Sequence, residues 1–242
     1  MKFLLKSLFF IIICYQPLAA QKIFTKDRLL NRETHDLRVL RWGYYLGFNS
    51  LDYFTNYKSD VANLAYELQD VKVIKETGFN IGLIGNLRLG NHLDLRLEPG
   101  VVFSSRDLVF LNVLDPTNQL RRSETTAVHI PLLLKFSTKR LNNFKPFVVA
   151  GFSNTINLAS NEDNPEDNLT SFDFRTKASY FNYELGFGID FFLPYFKFTP
   201  TIRGVFSLTN ELVPDNDAAN SPYTSHIESM KTRGVFINFT FQ

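Results

Sequence analysis

The strongest constraint on this chain is a repeat of two. From Phe181 to Phe191, the residues Phe181, Tyr183, Leu185, Phe187, Ile189 and Phe191 alternate with Asn182, Glu184, Gly186, Gly188 and Asp190. At the C-terminus, Val235, Ile237, Phe239 and Phe241 alternate with Gly234, Phe236, Asn238 and Thr240. This period places the two sets on opposite faces of a β-strand. Trp42, Tyr44, Leu46 and Phe48 alternate in the same way with Gly43, Tyr45, Gly47 and Asn49. Further examples are Phe79–Leu89, Leu93–Phe103, Val128–Phe136 and Phe196–Leu208. The stretch Lys145–Leu158 is strand-like, but its faces are less clear. The reading is eight strands, near residues 41–51, 76–89, 92–104, 125–138, 144–159, 178–192, 195–209 and 228–242.

The connections narrow the architecture. They are long at 52–75, 105–124, 160–177 and 210–227, and short or medium at 90–91, 139–143 and 193–194. Transmembrane barrels have this rhythm, with short periplasmic turns, long external loops, an even strand count and both termini inside. A soluble lipocalin-like barrel has the same strand number with its apolar face turned inward. The polar face separates the two, because it combines glycines (Gly82, Gly100, Gly186, Gly188) with charges of both signs. Small residues suit a narrow lumen, and opposite charges can pair there. The expected fold is therefore all-β, an eight-stranded antiparallel transmembrane β-barrel of the outer-membrane type, with lipid as its surrounding partner.

The N-terminus fits an exported chain. Lys2 and Lys6 precede a short apolar stretch, Leu8–Cys14, and Leu18, Ala19 and Ala20 supply small residues before Gln21. This is the pattern of a secretory signal peptide, and the apolar stretch is too short to cross a bilayer as a helix. Cys14 as a lipidation site is the alternative, although Ile13 before it fits poorly. The expected layout is 1–20 signal peptide, 21–40 periplasmic N-terminal segment and 41–242 barrel in the cell outer membrane. Taking Lys2 and Lys6 from the 26 basic residues leaves 24, equal to the 24 acidic ones. A neutral chain is a poor candidate for a nucleic-acid binder that works by neutralising phosphates. The one cysteine, Cys14, falls within the signal, so disulfide frameworks and cysteine-based zinc sites drop out.

Candidate functional residues follow from the two faces. Arg96, Glu98, Lys135, Glu184, Asp190 and Arg203 are expected to form a lumenal charge network. An eight-stranded barrel has an interior just filled by side chains. These charges therefore read as a rigidifying plug, with a proton or ion path as the alternative. The segment before the first strand carries Lys22, Lys26, Arg28, Arg32, Arg38 and Arg41 against Asp27, Glu33 and Asp36. Lys139, Arg140 and Lys145 lie at the medium turn on the same side. This basic periplasmic surface is the expected contact for a partner.

Catalysis, cofactors and metals find little support. His35, His92, His129 and His226 show no metal-ligand spacing. His226 with Asp215, Asp217 or Ser225 is a conceivable rim site, against the reading of a solvated loop. The acidic stretch Asn161–Asn168 offers oxygen ligands for calcium, against the reading of a flexible hydrated loop.

Several runs resemble the PorT/SprT family of the type IX secretion and gliding-motility machinery. They are KIFTKDRLLN from Lys22, RWGYYLGFN from Arg41, LRLEPG from Leu95, HIPLLLKFS from His129, IRGVFSL from Ile202 and IESMKTRGVFINFTF from Ile227. The resemblance runs along nearly the whole mature chain. Its Glu-Pro-Gly and Ile-Pro-Leu-Leu-Leu-Lys pieces are shared by a broader group of small barrels, whereas the two terminal runs are more specific. It implies an accessory outer-membrane component needed for export of proteins with a C-terminal sorting domain. Other type IX components would be its partners, and no catalytic motif is implied. A general structural or small-solute outer-membrane barrel is the alternative.

Overall fold

The computed structural model describes residues 30–34, 37–58, 71–113, 115, 118–164, 166, 168–217 and 219–242. The expected signal peptide and the segment up to residue 29 lie outside the described residues. The elements are β1 (Leu40–Tyr57), β2 (Val71–Lys75), β3 (Thr77–Arg88), β4 (Leu93–Leu97), β5 (Gly100–Phe110), β6 (Leu120–Ser137), β7 (Phe144–Asn157), β8 (Ser179–Phe192), β9 (Lys197–Ser207) and β10 (Ile227–Phe241).

Neighbouring strands pair antiparallel. The sheet closes because β1 pairs both with β10, from Tyr44 opposite Phe241, and with β3, from Leu40 opposite Leu87. Ten hydrogen-bonded segments make eight passages through the wall. β4 and β5 are one passage: both pair with β6 in a single unbroken register, from Leu93 opposite Phe136 to Gly100 opposite His129. The interruption is Pro99, which has no N–H to give the ladder. β2 and β3 are likewise one passage on β5, with the register stepping by one residue around Glu76. Such a step is a β-bulge.

The two faces have an inverted burial. Trp42 is 68% exposed and Phe187 60%, whereas Arg203 and Arg96 are 1% exposed. Phe79, Ile81, Leu83, Leu132, Leu134, Phe136, Leu185, Val235 and Ile237 continue the outward apolar belt. A soluble barrel would have the opposite arrangement, so the surface belongs in lipid. On β7, Val148, Phe152 and Ile156 face out, while Phe147, Val149, Ser153 and Thr155 face in. Its faces are hard to read in sequence because Phe147 and Val149 are apolar yet lumenal.

Four passages run further than the alternation indicates: β1 to Tyr57, the β2–β3 passage back to Val71, β5 to Phe110, and β6 back to Leu120. At 18 residues, β1 and β6 exceed the ~9–11 residues needed to cross a membrane tilted. Beyond the belt the pattern changes sign. Asp52, Lys75 and Arg233 pair on the outer surface, as do Asp107 and Arg122. Leu51, Tyr53, Leu108 and Phe110 turn inward instead. The strands thus leave the bilayer and continue as the wall of a water-exposed barrel, roofed by the long loops.

Candidate functional site

The lumen is layered, and the middle layer holds all six candidate charges. Glu98 bridges two guanidinium groups, with Oε2 2.6 Å from Arg203 Nη1 and Oε1 3.2 Å from Arg96 Nη1. Arg203 Nε lies 3.4 Å from Glu184 Oε2. Lys135 Nζ donates to Asp190 Oδ2 at 2.5 Å, and Lys197 lies 3.9 Å from Asp190 Oδ1. Phe147 joins the two groups, with Lys135 Nζ 3.8 Å and Arg96 Cζ 5.2 Å from its ring centre. Ionised groups persist out of water only when paired and hydrogen-bonded, and each carboxylate here has a cation beside it.

Sequence reasoning left several members of this layer out. His129 lies 2.8 Å from Glu184 through Nε2 and 2.8 Å from Thr155 through Nδ1. Arg96 donates to Asn86 at 2.8 Å, Thr199 to Asp190 at 2.7 Å, and the Tyr45 hydroxyl to the Glu98 carbonyl at 3.3 Å. Their inward parity was the available signal. The lumenal glycines make room: a Cβ on Gly186 would meet the Arg203 side chain, and one on Gly100 the Tyr45 hydroxyl.

Above this layer Leu51, Val102, Val205 and Phe236 form an apolar cluster. A void of about 10 Å³ beside it is at the lower limit for one water. Next, Arg106 donates to Thr232 and Thr125 at 3.0 Å each and lies 3.8 Å over the Tyr53 ring. Glu211, from the loop before β10, accepts from the Thr232 N–H and hydroxyl at 2.7 Å each. Burial raises its pKa, and Arg106 opposes the rise.

The external end is a folded cap. Phe174, Leu212 and Tyr223 come from the long loops and pack with Tyr53, Val71, Leu108, Phe110, Ile227 and Met230. Asp215 organises the polar part: Oδ1 accepts from the Asn168 side chain at 2.6 Å, and Oδ2 from Thr224 at 3.1 Å and from Ser221. Arg175 spans the loops, donating to the Asn164 carbonyl at 3.0 Å and the Pro214 carbonyl at 2.7 Å.

Two expectations are corrected here. The end of the Asn161–Asn168 stretch is no hydrated loop, because Asn168 is fully buried and its side chain also accepts from the Arg175 N–H at 3.0 Å. His226 is not solvated either; it is 3% exposed and stacked 5.9 Å from Tyr57. The rim arrangement with Asp215 does not form, since Asp215 turns to Asn168, Ser221 and Thr224.

At the periplasmic end, Lys22, Lys26 and Arg28 lie outside the described residues. Arg32 is half-buried and donates to the Gln242 carbonyl at 2.6 Å. Burial, then the neighbouring Arg38, lowers its pKa. Arg38 is exposed. Arg41 does not hang free below the barrel as expected: it is the second residue of β1, 5% exposed, and lies 2.7 Å from Asp94. Its parity on the strand turns it into the lumen. The segment is fastened to the rim by Asn31, whose N–H donates to Asn143 Oδ1 at 2.9 Å and whose side chain donates to the Phe192 carbonyl at 3.0 Å. Arg140 adds a bond to the Asn31 carbonyl.

Among curated proteins none matches the chain. Among solved structures it is similar to the outer membrane protein OprG of Pseudomonas aeruginosa, at 15% identity and a TM-score of 0.46 over 83% of this chain and 94% of that one. It is also similar to Neisserial surface protein A, at 10% identity and a TM-score of 0.40 over 84% and 98%. A third is AlkL, whose structure is in DMPC bilayers, at 11% identity and a TM-score of 0.40 over 90% and 92%. The family of outer membrane protein β-barrel domains matches residues 19–213, most of the chain. With its apolar wall turned outward and its charges sealed within, the chain belongs to the outer membrane protein β-barrel domain family.

Proposed function

We propose that this outer-membrane barrel is an accessory component of type IX secretion, and of gliding motility where the organism glides, acting by protein–protein contact. The observation that carries the reading is the resemblance of Lys22–Asn31 and Ile227–Phe241 to the PorT/SprT family. The geometry supports contact over conduction or chemistry. Ion pairs fill the middle of the lumen and a folded cap roofs it, so the two rims and the lipid-facing wall are the surfaces left to act. The basic periplasmic end, with Lys22, Lys26, Arg28, Arg32 and Arg38 before the first strand and Arg41 inside the mouth, is where other type IX components would dock. We read the chain as non-enzymatic and without a cofactor.

Deleting the gene is expected to trap cargo carrying the sorting domain inside the cell, with loss of gliding in a gliding organism. Normal export in the deletion strain overturns the assignment. The second reading is a general structural or small-solute outer-membrane barrel, compatible with its family. A deletion that changes envelope integrity or uptake while leaving export intact would favour it.

A further inference from the structure

The periplasmic mouth contains a cleft of about 280 Å³ where the β3–β4 and β6–β7 turns face each other. Arg41, Arg88, Lys139, Arg140 and Lys145 line it, and Asp94 is the one carboxylate among its described lining residues. Asp94 lies 2.7 Å from Arg41 in an ion pair. Arg88 is held in place by neutral acceptors. Arg88 donates to the Gly90 carbonyl at 3.2 Å and to Asn91 Oδ1 at 2.8 Å. Arg140 donates to the Asn142 carbonyl at 2.7 Å and to Asn143 Oδ1 at 2.9 Å, and it lies 3.8 Å over the Phe192 ring. Neutral acceptors orient a guanidinium group without cancelling its charge. With Arg88, Lys139 and Lys145 beside the Arg41–Asp94 pair, basic groups outnumber the one carboxylate among the described lining residues of the cleft.

We propose that this mouth is a binding site for the carboxylates of an acidic peptide segment presented by a periplasmic protein. Its volume is close to the lower end of the range for ligand pockets, enough for one or two carboxylate side chains. Charge-assisted bonds from fixed guanidinium groups favour such ligands over neutral ones. The phosphate of a membrane lipid has similar chemistry but a poorer approach. Arg41 and Asp94 are buried inside the barrel, on the face opposite the outward Trp42, Leu93 and Leu97 that meet lipid. A headgroup at the outer wall would have to cross the rim to reach them, whereas a soluble segment enters along the barrel axis.

For its partner class the inference rests on the periplasmic-contact reading above, but the two fail separately. The cleft is tested with the purified full barrel in detergent, and the secretion role by cargo export in the deletion strain. A fluorescent hexaglutamate peptide is titrated by anisotropy, with hexalysine, inorganic phosphate and phosphatidylglycerol mixed micelles as the other arms. Hexaglutamate is expected to bind, to weaken as salt rises, and to outcompete phosphate; hexalysine is expected not to bind. The variant Arg88→Ala, Lys139→Ala, Lys145→Ala is expected to weaken hexaglutamate binding about tenfold or more. Lys139→Glu alone, at an exposed turn position, gives the same direction if the triple variant fails to fold. Undiminished binding by the folded variants overturns the proposal. So does phosphatidylglycerol binding that depends on these residues without any peptide binding.

Discussion

The two ends of this barrel solve opposite problems. At the external end, loops distant in sequence fold into a roof whose polar groups satisfy one another. Asp215, Asn168, Ser221, Thr224 and Arg175 are all buried and bonded within the cap. At the periplasmic end, Arg88, Lys139 and Lys145 sit on or beside short turns, with one carboxylate among the described lining residues of their cleft. Groups that satisfy one another stabilise; groups that leave charge facing solvent are available to something else. The external end therefore reads as structure, and the periplasmic end is where we propose recognition.

The layer between the two ends should give the largest effect. Arg203→Leu leaves Glu98 with Arg96 alone and Glu184 with His129 alone, and breaking a buried pair in this way costs about 3–5 kcal/mol. The temperature at which the folded band is lost in an SDS gel should fall steeply. Asp215→Ala removes the acceptor shared by Asn168, Ser221 and Thr224, a loss of about 1–3 kcal/mol for buried donors left unmet. Its effect should be local: protease should cut the 158–178 and 208–226 loops while the barrel stays folded. Simultaneous loss of the barrel would show that cap and wall are one cooperative unit.

Acid should distinguish the ends next. Burial, then Lys58, holds the His226 pKa below its ordinary 6.5. A histidine with a depressed folded pKa contributes fully above its unfolded value, and the contribution is lost as pH falls through the folded value. Loop proteolysis should therefore stay low above about pH 6.5 and rise as pH falls below it. His226→Phe, which keeps the stack on Tyr57, should flatten that rise. The smallest effect is expected at the other end, where Lys139→Ala with Lys145→Ala should leave the unfolding temperature unchanged. A clear drop would make those lysines structural and erase the contrast.

Much of the transmembrane wall was legible in the sequence because lipid and lumen impose one repeat on every crossing. Phe181–Phe191 and Val235–Phe241 show their outward faces directly. The six lumenal charges could be selected by parity alone. What sequence reading missed lies where that repeat changes sign or stops. Beyond the bilayer, Leu51, Tyr53, Leu108 and Phe110 turn inward and Asp52, Asp107 and Arg233 outward, so the apolar-out alternation stops short of the ends of β1, β5 and β6. The cap has no period at all: Phe174, Leu212 and Tyr223 are single apolar residues in polar loops, and only the folded barrel brings them together. Arg41 falls on the lumenal side of a boundary that the sequence does not mark, because one residue decides whether a rim arginine hangs free or enters the lumen.

The seam between β1 and β10 has a kinetic consequence. It joins Tyr44 to Phe241 and Asp52 to Arg233, residues separated by nearly the whole barrel. Pairings so distant in sequence are slow to form. Until this one closes, both strands present unpaired edges capable of zipping onto another chain. Arg32 reaches the Gln242 carbonyl only after the two ends of the barrel have met, so its bond is available to hold the seam only late in assembly. The hazardous interval in this protein's life is therefore its passage to the membrane, when its longest-range contact is still unmade.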